Sequence, residues 1–334
     1  MSALHRATLQ DVARLANVSP KTVSRVFAHR EQVAPATVER VLSAAKRLRF
    51  RPNTLARTLR HGGVATTVGL LMGDLGNPFY YTIAAGVERA LADRGLTLIV
   101  ATTDDSEEGE ERVADTLLAQ RVGALLLIPV GPDQSYLEGE RQLGTAVVAI
   151  DRPARNLVAD SVVLRNREGA KEATRSLIAH GHRRIAYLCN PASVYTQMER
   201  CAGYRDALTS AGIPADGRYE SLVDDMTVPA EETARAMLAQ PDPPTAIVAG
   251  NNRMCIGVLR VIRELANPPA LIGFDDFDTA DILGVSVVSH DPAEMGRRAA
   301  ELAIDRMSDL GGFTTQLEVP THLVLRGSGE RPPA

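Results

Sequence analysis

The sequence predicts an α/β protein in two parts: an all-helical head with a hinge helix, then a large two-subdomain body of doubly wound parallel sheets. Three observations carry this. Residues 8–27, TLQDVARLANVSPKTVSRVF, pack two short helices and a tight turn into twenty positions. From Thr66 onward, short apolar runs alternate with amphipathic stretches of ten or more residues, the rhythm of strands and crossover helices. Charge divides at the same place: residues 1–62 hold 12 Lys+Arg against 3 Asp+Glu, a net +9, and the remainder holds 25 against 38, a net −13.

Within the head, Thr8 is placed to cap a first helix, with Asp11 three residues on and Leu9, Val12, Ala13, Leu15 and Ala16 as its apolar positions. Ser19 caps a second helix, with Pro20 in the first turn, where a missing N–H costs nothing. At about 100° per residue, Val23, Val26 and Phe27 fall on one side of it and Lys21, Ser24, Arg25 and Ala28 on the other. A free polar face of this kind suits the second helix of a helix-turn-helix, whose N-terminal residues enter the DNA major groove. Lys21 or Arg25 then suits guanine O6 and N7, and Thr22 and Ser24 suit phosphate oxygens or base edges. A small helical hairpin with a solvated face is the plain alternative. The basic charge of the head favours DNA, because clustered cations neutralise phosphates and release counterions.

A third helix over Ala36–Leu48 closes the small core with Val38, Val41, Leu42, Ala45 and Leu48. Arg51-Pro52 enforces extended backbone, and Asn53 can cap a short helix, TLARTLR, at residues 54–60. Seven residues are too few to hold a helix alone, so this hinge is expected to need a partner to fold.

In the body, strands are expected at 68–72, 96–101, 124–128, 146–150, 160–164, 185–189, 221–223, 246–249 and 271–274, with helices such as Pro78–Arg94 and Arg167–His180 between them. Two runs of this rhythm meet near Asp160, which implies two similar subdomains with a cleft between. Ligands in such sheets sit beyond the carboxyl ends of strands. The residues following those ends are Phe79 and Tyr80 in NPFYY, Asp151 with Arg152, Arg200, Asn251 with Asn252, and Asp275 with Asp276. Carboxylates and amides in this number match the several hydroxyls of a sugar.

Other classes fit poorly. Cys189, Cys201 and Cys255 are odd in number and dispersed, which argues against a disulfide framework or a zinc site, and no cofactor or metal is expected. No apolar run reaches membrane-spanning length and the N-terminus does not read as a signal peptide, so no membrane partner and a cytoplasmic location are expected. Gly69, Gly73 and Gly76 depart from GxGxxG, no nucleophile elbow is present and the seven His are scattered, so an enzyme is not expected.

The segment DVARLANVSPKTVSRVF, followed by RFRPNTLARTLR, resembles the head and hinge of the LacI/GalR family of bacterial repressors, and the likeness covers essentially the whole chain. The resemblance implies a helix-turn-helix DNA-binding domain at 1–52, a hinge helix and linker at 53–63, and an effector-binding and dimerisation core at 64–334. That core is periplasmic-binding-protein-like, with one subdomain at about 64–160 plus 291–320 and the other at about 161–290 plus 321–330, the chain crossing back near His290 and Thr321. It further implies a homodimer, with a tetramer left open, on a pseudo-palindromic operator in double-stranded DNA. Ser19, Pro20, Lys21, Thr22, Ser24 and Arg25 would serve the major groove, and Asn53 and Leu59 the hinge. Leu59 would wedge between base steps in the minor groove, ordinary packing against the body being its alternative.

Phe79, Tyr80, Asp151, Thr196, Arg200, Asn251 and Asp275 match positions where relatives contact effector. Met226 stands where an aromatic often stacks, His290 replaces a frequent Gln, and Asn252 replaces a frequent Asp. Helix capping by Asn251 or Asp275, and an interdomain ion pair for Arg200, are the competing structural roles. The function implied is a transcriptional repressor released by a small-molecule effector, a sugar or sugar acid ahead of a purine or nucleoside. A ligand-binding protein without regulatory role is the remaining alternative.

Overall fold

The computed structural model describes residues 7–50, 65–189, 193–222 and 229–333. The hinge expectations for Asn53 and Leu59, and Met226 in the body, lie outside these residues. Contacts divide the chain into two units, Met1–Ala65 and Thr66–Ala334.

Three helices form the head: α1 (Leu9–Ala16), α2 (Pro20–Ala28) and α3 (Pro35–Arg47). Thr8 and Asp11 make a reciprocal capping box, with Thr8 N–H donating to Asp11 at 2.9 Å and Asp11 N–H donating to the Thr8 hydroxyl at 3.3 Å. Asn17 ends α1 in the left-handed region at φ 53°, where an asparagine is tolerated, and this turns the chain sharply into α2. Ser19 caps α2, accepting from Thr22 N–H at 3.1 Å, with Pro20 as the first helical residue. Val12, Ala13, Ala16, Val23, Val26, Val38, Val41, Ala44 and Ala45 form the core, with the Phe27 and Phe50 rings 5.8 Å apart at its edge. Helix α3 begins one residue before the expected start, and Ala34 gives it no side-chain cap.

The body opens with β1 (Thr67–Met72), α4 (Pro78–Ala92), β2 (Thr97–Thr102), α5 (Glu107–Ala119), β3 (Ala124–Leu127), β4 (Ala146–Asp151) and β5 (Asp160–Leu164). The second subdomain follows with α6 (Asn166–Ala179), β6 (Ile185–Cys189), α7 (Tyr195–Ser210), β7 (Glu220–Leu222), α8 (Ala230–Leu238), β8 (Ala246–Ala249), α9 (Asn252–Ile262), β9 (Ala270–Phe274) and β10 (Ser286–Ser289). Then α10 (Pro292–Ser308) and β11 (Gln316–Val319) return to the first, and β12 (His322–Val324) to the second.

Strand order is β11-β5-β4-β3-β1-β2 in one sheet and β12-β10-β9-β8-β6-β7 in the other. All pairings are parallel except β10 with β12. Strands β3, β4, β5, β6, β8 and β9 are buried on both faces, which is why each reads as an unbroken apolar run, whereas edge strand β2 is half exposed. Strand β5 pairs with β4 and β11, so the first crossover follows Leu164, and the boundary expected at about 160 falls instead at the start of a strand of the first sheet. The returns come at His290-Asp291 and at Pro320-Thr321.

Helices α4 and α10 come from distant parts of the sequence and lie backbone to backbone. A Cβ on Gly86 would meet the Ala293 carbonyl oxygen at 2.0 Å, and one on Gly296 would meet the Ile83 carbonyl oxygen at 2.1 Å. Only glycine allows this approach. Gly86→Ala is expected to lower unfolding stability by about 1–3 kcal/mol through forced separation of the two helices. Gly139→Ala, where the added methyl meets nothing within 4 Å, is expected to stay within about 0.5 kcal/mol of the parent. Denaturant unfolding of the two variants side by side checks this.

Candidate functional site

On α2, Val23 and Val26 face the core while Lys21, Ser24 and Arg25 are exposed. The capping interaction at Ser19 includes a 2.9 Å hydroxyl contact with Thr22, so these two residues stiffen the first turn of α2. Pro20 is exposed beside Lys21. One rigid helix therefore presents two cations and a hydroxyl on a single free face, the arrangement that a duplex groove accepts.

In the body, the crevice between the two sheets opens at the carboxyl ends of their central strands, where strand order reverses at β1/β3 and at β6/β8. A cavity of about 660 Å³ lies there. Phe79, Tyr80, Asp151, Thr196, Arg200, Asn251 and Asp275 all line it, together with Asn77, Asp105, Arg152, Gln197, Asn252 and Arg253. A volume in this range suits a small organic ligand.

The floor is built around Arg200, only 3% exposed. Its Nε–H donates to Asn166 Oδ1 at 2.7 Å and Nη1 to the Gly250 carbonyl at 2.6 Å, while Nη1 and Nη2 reach the two Asp275 oxygens at 3.3 Å each. The guanidinium also lies 3.6 Å from the centroid of the Phe274 ring. Arg200 and Asp275 both belong to the second subdomain, so the pair is internal to it and the interdomain alternative fails. Asn251 accepts from Met254 N–H at 2.7 Å and so caps α9 while it lines the cleft; the two roles coexist.

Asp151 and Asp275 stand at the ends of β4 and β9 in the left-handed region, at φ 70° and 67°. Burial pushes the Asp151 carboxyl above the usual carboxylate range, and Arg152 and Arg200 oppose that shift. Tyr80 is buried and its hydroxyl is pushed well up, again by burial first, with Arg152 opposing. Asp105, which accepts from the Tyr80 hydroxyl, is raised by burial against the pull of Arg152 and Arg253. Two polar contacts bridge the subdomains at the mouth: Asn252 Nδ2 donates to Asn77 Oδ1 at 3.0 Å, and Arg253 pairs with Asp74.

Asp105, Gln197, Asn77 and Arg253 were not among the sequence-derived candidates. Asp105 lies three residues past the end of β2, and Asp151 is the last residue of β4, so position at or beyond a strand's carboxyl end was the available signal. Gln197 and Arg253 sit inside helical turns that carried none. His290 does not line this cleft. It sits behind Asp275, its ring 5.5 Å from that of Phe79, on a neighbouring cavity of about 340 Å³. Neither His290 nitrogen has a hydrogen-bond partner, and Asp275 Oδ1 is 3.9 Å from its Nε2. Among the described residues no group of His, Cys, Asp and Glu could hold a metal ion, and no helix is long and apolar enough to cross a membrane.

A model described as "Bacterial regulatory proteins, lacI family" matches residues 8–53, and one described as "Periplasmic binding proteins and sugar binding domain of LacI family" matches residues 65–268. The chain is 34% identical over a 342-residue alignment to the HTH-type transcriptional regulator CelR of Thermobifida fusca, covering 98% of this chain and 100% of that one. It is 32% identical over 329 residues to the ribose operon repressor of Escherichia coli (strain K12), covering 96% and 99%. Among solved structures, a CelR–cellobiose complex superposes with a TM-score of 0.72 at 32% identity, covering 97% of this chain and all of that one. The lac repressor dimer bound to operator and the anti-inducer ONPF superposes with a TM-score of 0.85 at 24% identity, covering 98% and 100%, a likeness of fold.

Burial holds His290 neutral, its pKa pushed down from 6.5 to about 4. Between those two values the unfolded chain binds a proton at this imidazole that the folded chain refuses. Its effect on stability is therefore absent above about pH 6.5, and stability falls as pH drops toward 4, by up to about 3 kcal/mol. His290→Gln is expected to flatten that part of the stability–pH curve, as read by denaturant unfolding at pH 7, 6, 5 and 4.5; an unchanged slope in the variant would show that the burial penalty lies elsewhere.

Proposed function

The chain belongs to the LacI family of bacterial regulatory proteins and is a DNA-binding transcriptional regulator; from that premise we propose that it is a repressor that binds a pseudo-palindromic operator as a homodimer and is released by a small polyhydroxylated effector, a sugar or sugar acid, held in the cleft between its subdomains. Lys21 and Arg25 read base edges on each half-site, Ser19, Pro20, Thr22 and Ser24 seat the helix, and Asn53 and Leu59 act in the hinge, Leu59 in the minor groove. Two-fold symmetry of the protein then matches that of the operator.

One observation carries the effector reading. Arg200, Asp275, Asn251 and Asp151 converge on one cavity from both subdomains, each held by the fold and each able to exchange hydrogen bonds with a hydroxyl. Among the relatives, CelR is described in complex with cellobiose and another is a ribose operon repressor. Phe79 lines the cavity as a half-buried ring, whereas the Tyr80 ring is buried and its hydroxyl is already engaged by Asp105, so a purine that needs stacking on both faces is less well served. Because the ligand touches both subdomains, its differential affinity for their arrangements sets how far it shifts them, and through them the hinges.

Fluorescence anisotropy on the intergenic DNA flanking the gene tests the DNA half. Arg25→Ala is expected to cost about 1–3 kcal/mol of discrimination between that DNA and a scrambled duplex. Equal losses on both duplexes would reduce Arg25 to a phosphate contact. For the effector half, a thermal-shift screen of sugars, sugar acids, nucleosides and purines should return a stabilising sugar-class ligand that also weakens operator binding. That stabilisation is expected to disappear in Asp275→Asn; a nucleoside hit instead would replace the sugar reading.

A further inference from the structure

The main cleft is balanced in charge. Arg200 faces Asp275, Arg260 pairs with Glu231 at 2.6 Å, Arg253 pairs with Asp74, and Arg152 lies 3.4 Å from Asp151. A neutral polyol fits such a lining. Opening off it is a side chamber of about 210 Å³ that shares Val130, Arg152, Ser193 and Val194 with the cleft, and its character differs. Two of the residues lining it are arginines, Arg152 and Arg155, and none is Asp or Glu. Arg155 makes no ion pair among the described residues. Arg152 Nε is buried and, although it lies 3.4 Å from Asp151, it forms no hydrogen bond of good geometry. The chamber lies below the range of about 300–1,000 Å³ typical of whole-ligand pockets, which makes it room for a substituent.

Its rim is fixed. Arg155 N–H donates to Gln134 Oε1 at 2.8 Å, and Gln134 N–H donates to the Arg155 carbonyl at 2.9 Å. Gln134 Nε2 in turn donates to the buried Glu110 carboxylate at 3.1 Å, and the same carboxylate accepts from Gly131 N–H at 3.2 Å and from the Tyr136 hydroxyl at 2.9 Å. One buried carboxylate thus holds the loop at 130–136 and, through Gln134, the backbone of Arg155, so the Arg155 guanidinium is presented from a fixed backbone. Tyr195 lines the opposite wall, from the second subdomain. Guanidinium groups are the side chains best matched to the planar or tetrahedral oxygens of carboxylate and phosphate.

We propose that this chamber is an anion subsite of the effector cleft, and that the effector is a polyol carrying one carboxylate or phosphate group, its hydroxyls read by Arg200, Asn251 and Asp275 and its anion by Arg152 and Arg155. The proposal rests on the effector reading above and narrows it. Because the chamber has walls from both subdomains, a bound anion adds a contact that depends on how closely they approach.

Isothermal titration calorimetry on the full-length protein separates the two claims. The probes are matched sets: ribose, ribonate and ribose 5-phosphate; glucose, gluconate and glucose 6-phosphate; cellobiose and cellobionate. In at least one set the charged member is expected to bind about tenfold or more tightly than its neutral parent, with the advantage shrinking as KCl rises. The carboxylate and phosphate members of that set tell which oxyanion the chamber prefers. Arg155→Gln, an exposed position whose backbone contacts are retained, is expected to erase the advantage while leaving the affinity for the neutral parent unchanged. A neutral sugar that binds as tightly as its charged partners, or an Arg155→Gln variant that loses both equally, overturns the subsite and spares the effector reading. Failure of all eight probes to bind overturns both.

Discussion

The buried pair of Arg200 and Asp275 is the constraint on which the cleft depends. Removing a guanidinium and a carboxylate from water costs several kcal/mol per ion, and their mutual attraction recovers it only where further hydrogen bonds complete the shell. Here the completion comes from Asn166 on α6, the Gly250 carbonyl at the end of β8 and the face of Phe274 on β9, while Arg200 itself comes from α7. Four elements are thereby pinned to one guanidinium. The loop that carries Gly250 goes straight into the Asn251 cap of α9, so the geometry of the next helix follows from the same interaction.

Across the mouth, the contacts are of another kind. The Arg253–Asp74 pair is about half exposed, and exposed pairs are worth about 0–1 kcal/mol. Asn252 and Asn77 exchange a single amide hydrogen bond. A rigid floor within one subdomain thus faces a weakly latched counterpart in the other, with three chain crossovers as the permanent links. This division lets the two halves rotate against each other without breaking the hydrogen bonds of the Arg200 floor.

Much of this was legible in the residues. Helix caps at Thr8 and Ser19 are local chemistry, and the parallel strands buried on both faces are continuous apolar runs, so periodicity found them. Strands β10, β11 and β12 escaped a reading by pattern: they are three or four residues long, β11 and β12 are sheet edges, and their pairing partners lie up to 155 residues away, as with Gln316 and Ser161. The site divides in the same way. Asp151, Asn251 and Asp275 stand at or near strand ends, where ligands gather, but Arg200 lies within α7 and its use within its own subdomain depends on a partner 75 residues on. The orphaned imidazole of His290 and the Glu110 carboxylate that gathers two loops are products of packing, and no local pattern announces them.

Both sheets of the body are closed by residues 306–331. In the first, Arg306 holds Asp160 through two hydrogen bonds, and β11 adds an edge strand beside β5. In the second, the Ser328 hydroxyl donates to the Leu271 carbonyl, the Ser286 hydroxyl donates to Glu330, and His182 Nε2 meets the Arg331 carbonyl at 2.8 Å. The head, in contrast, closes its core within fifty residues. During synthesis the two therefore mature at opposite ends of the process. The helices of the head are complete before the sheets of the body can close, and neither subdomain can finish until residues 306–331 have left the ribosome. A nascent regulator passes through a stage in which it has a folded hand and no ear, and the time spent there is long for so non-local a topology.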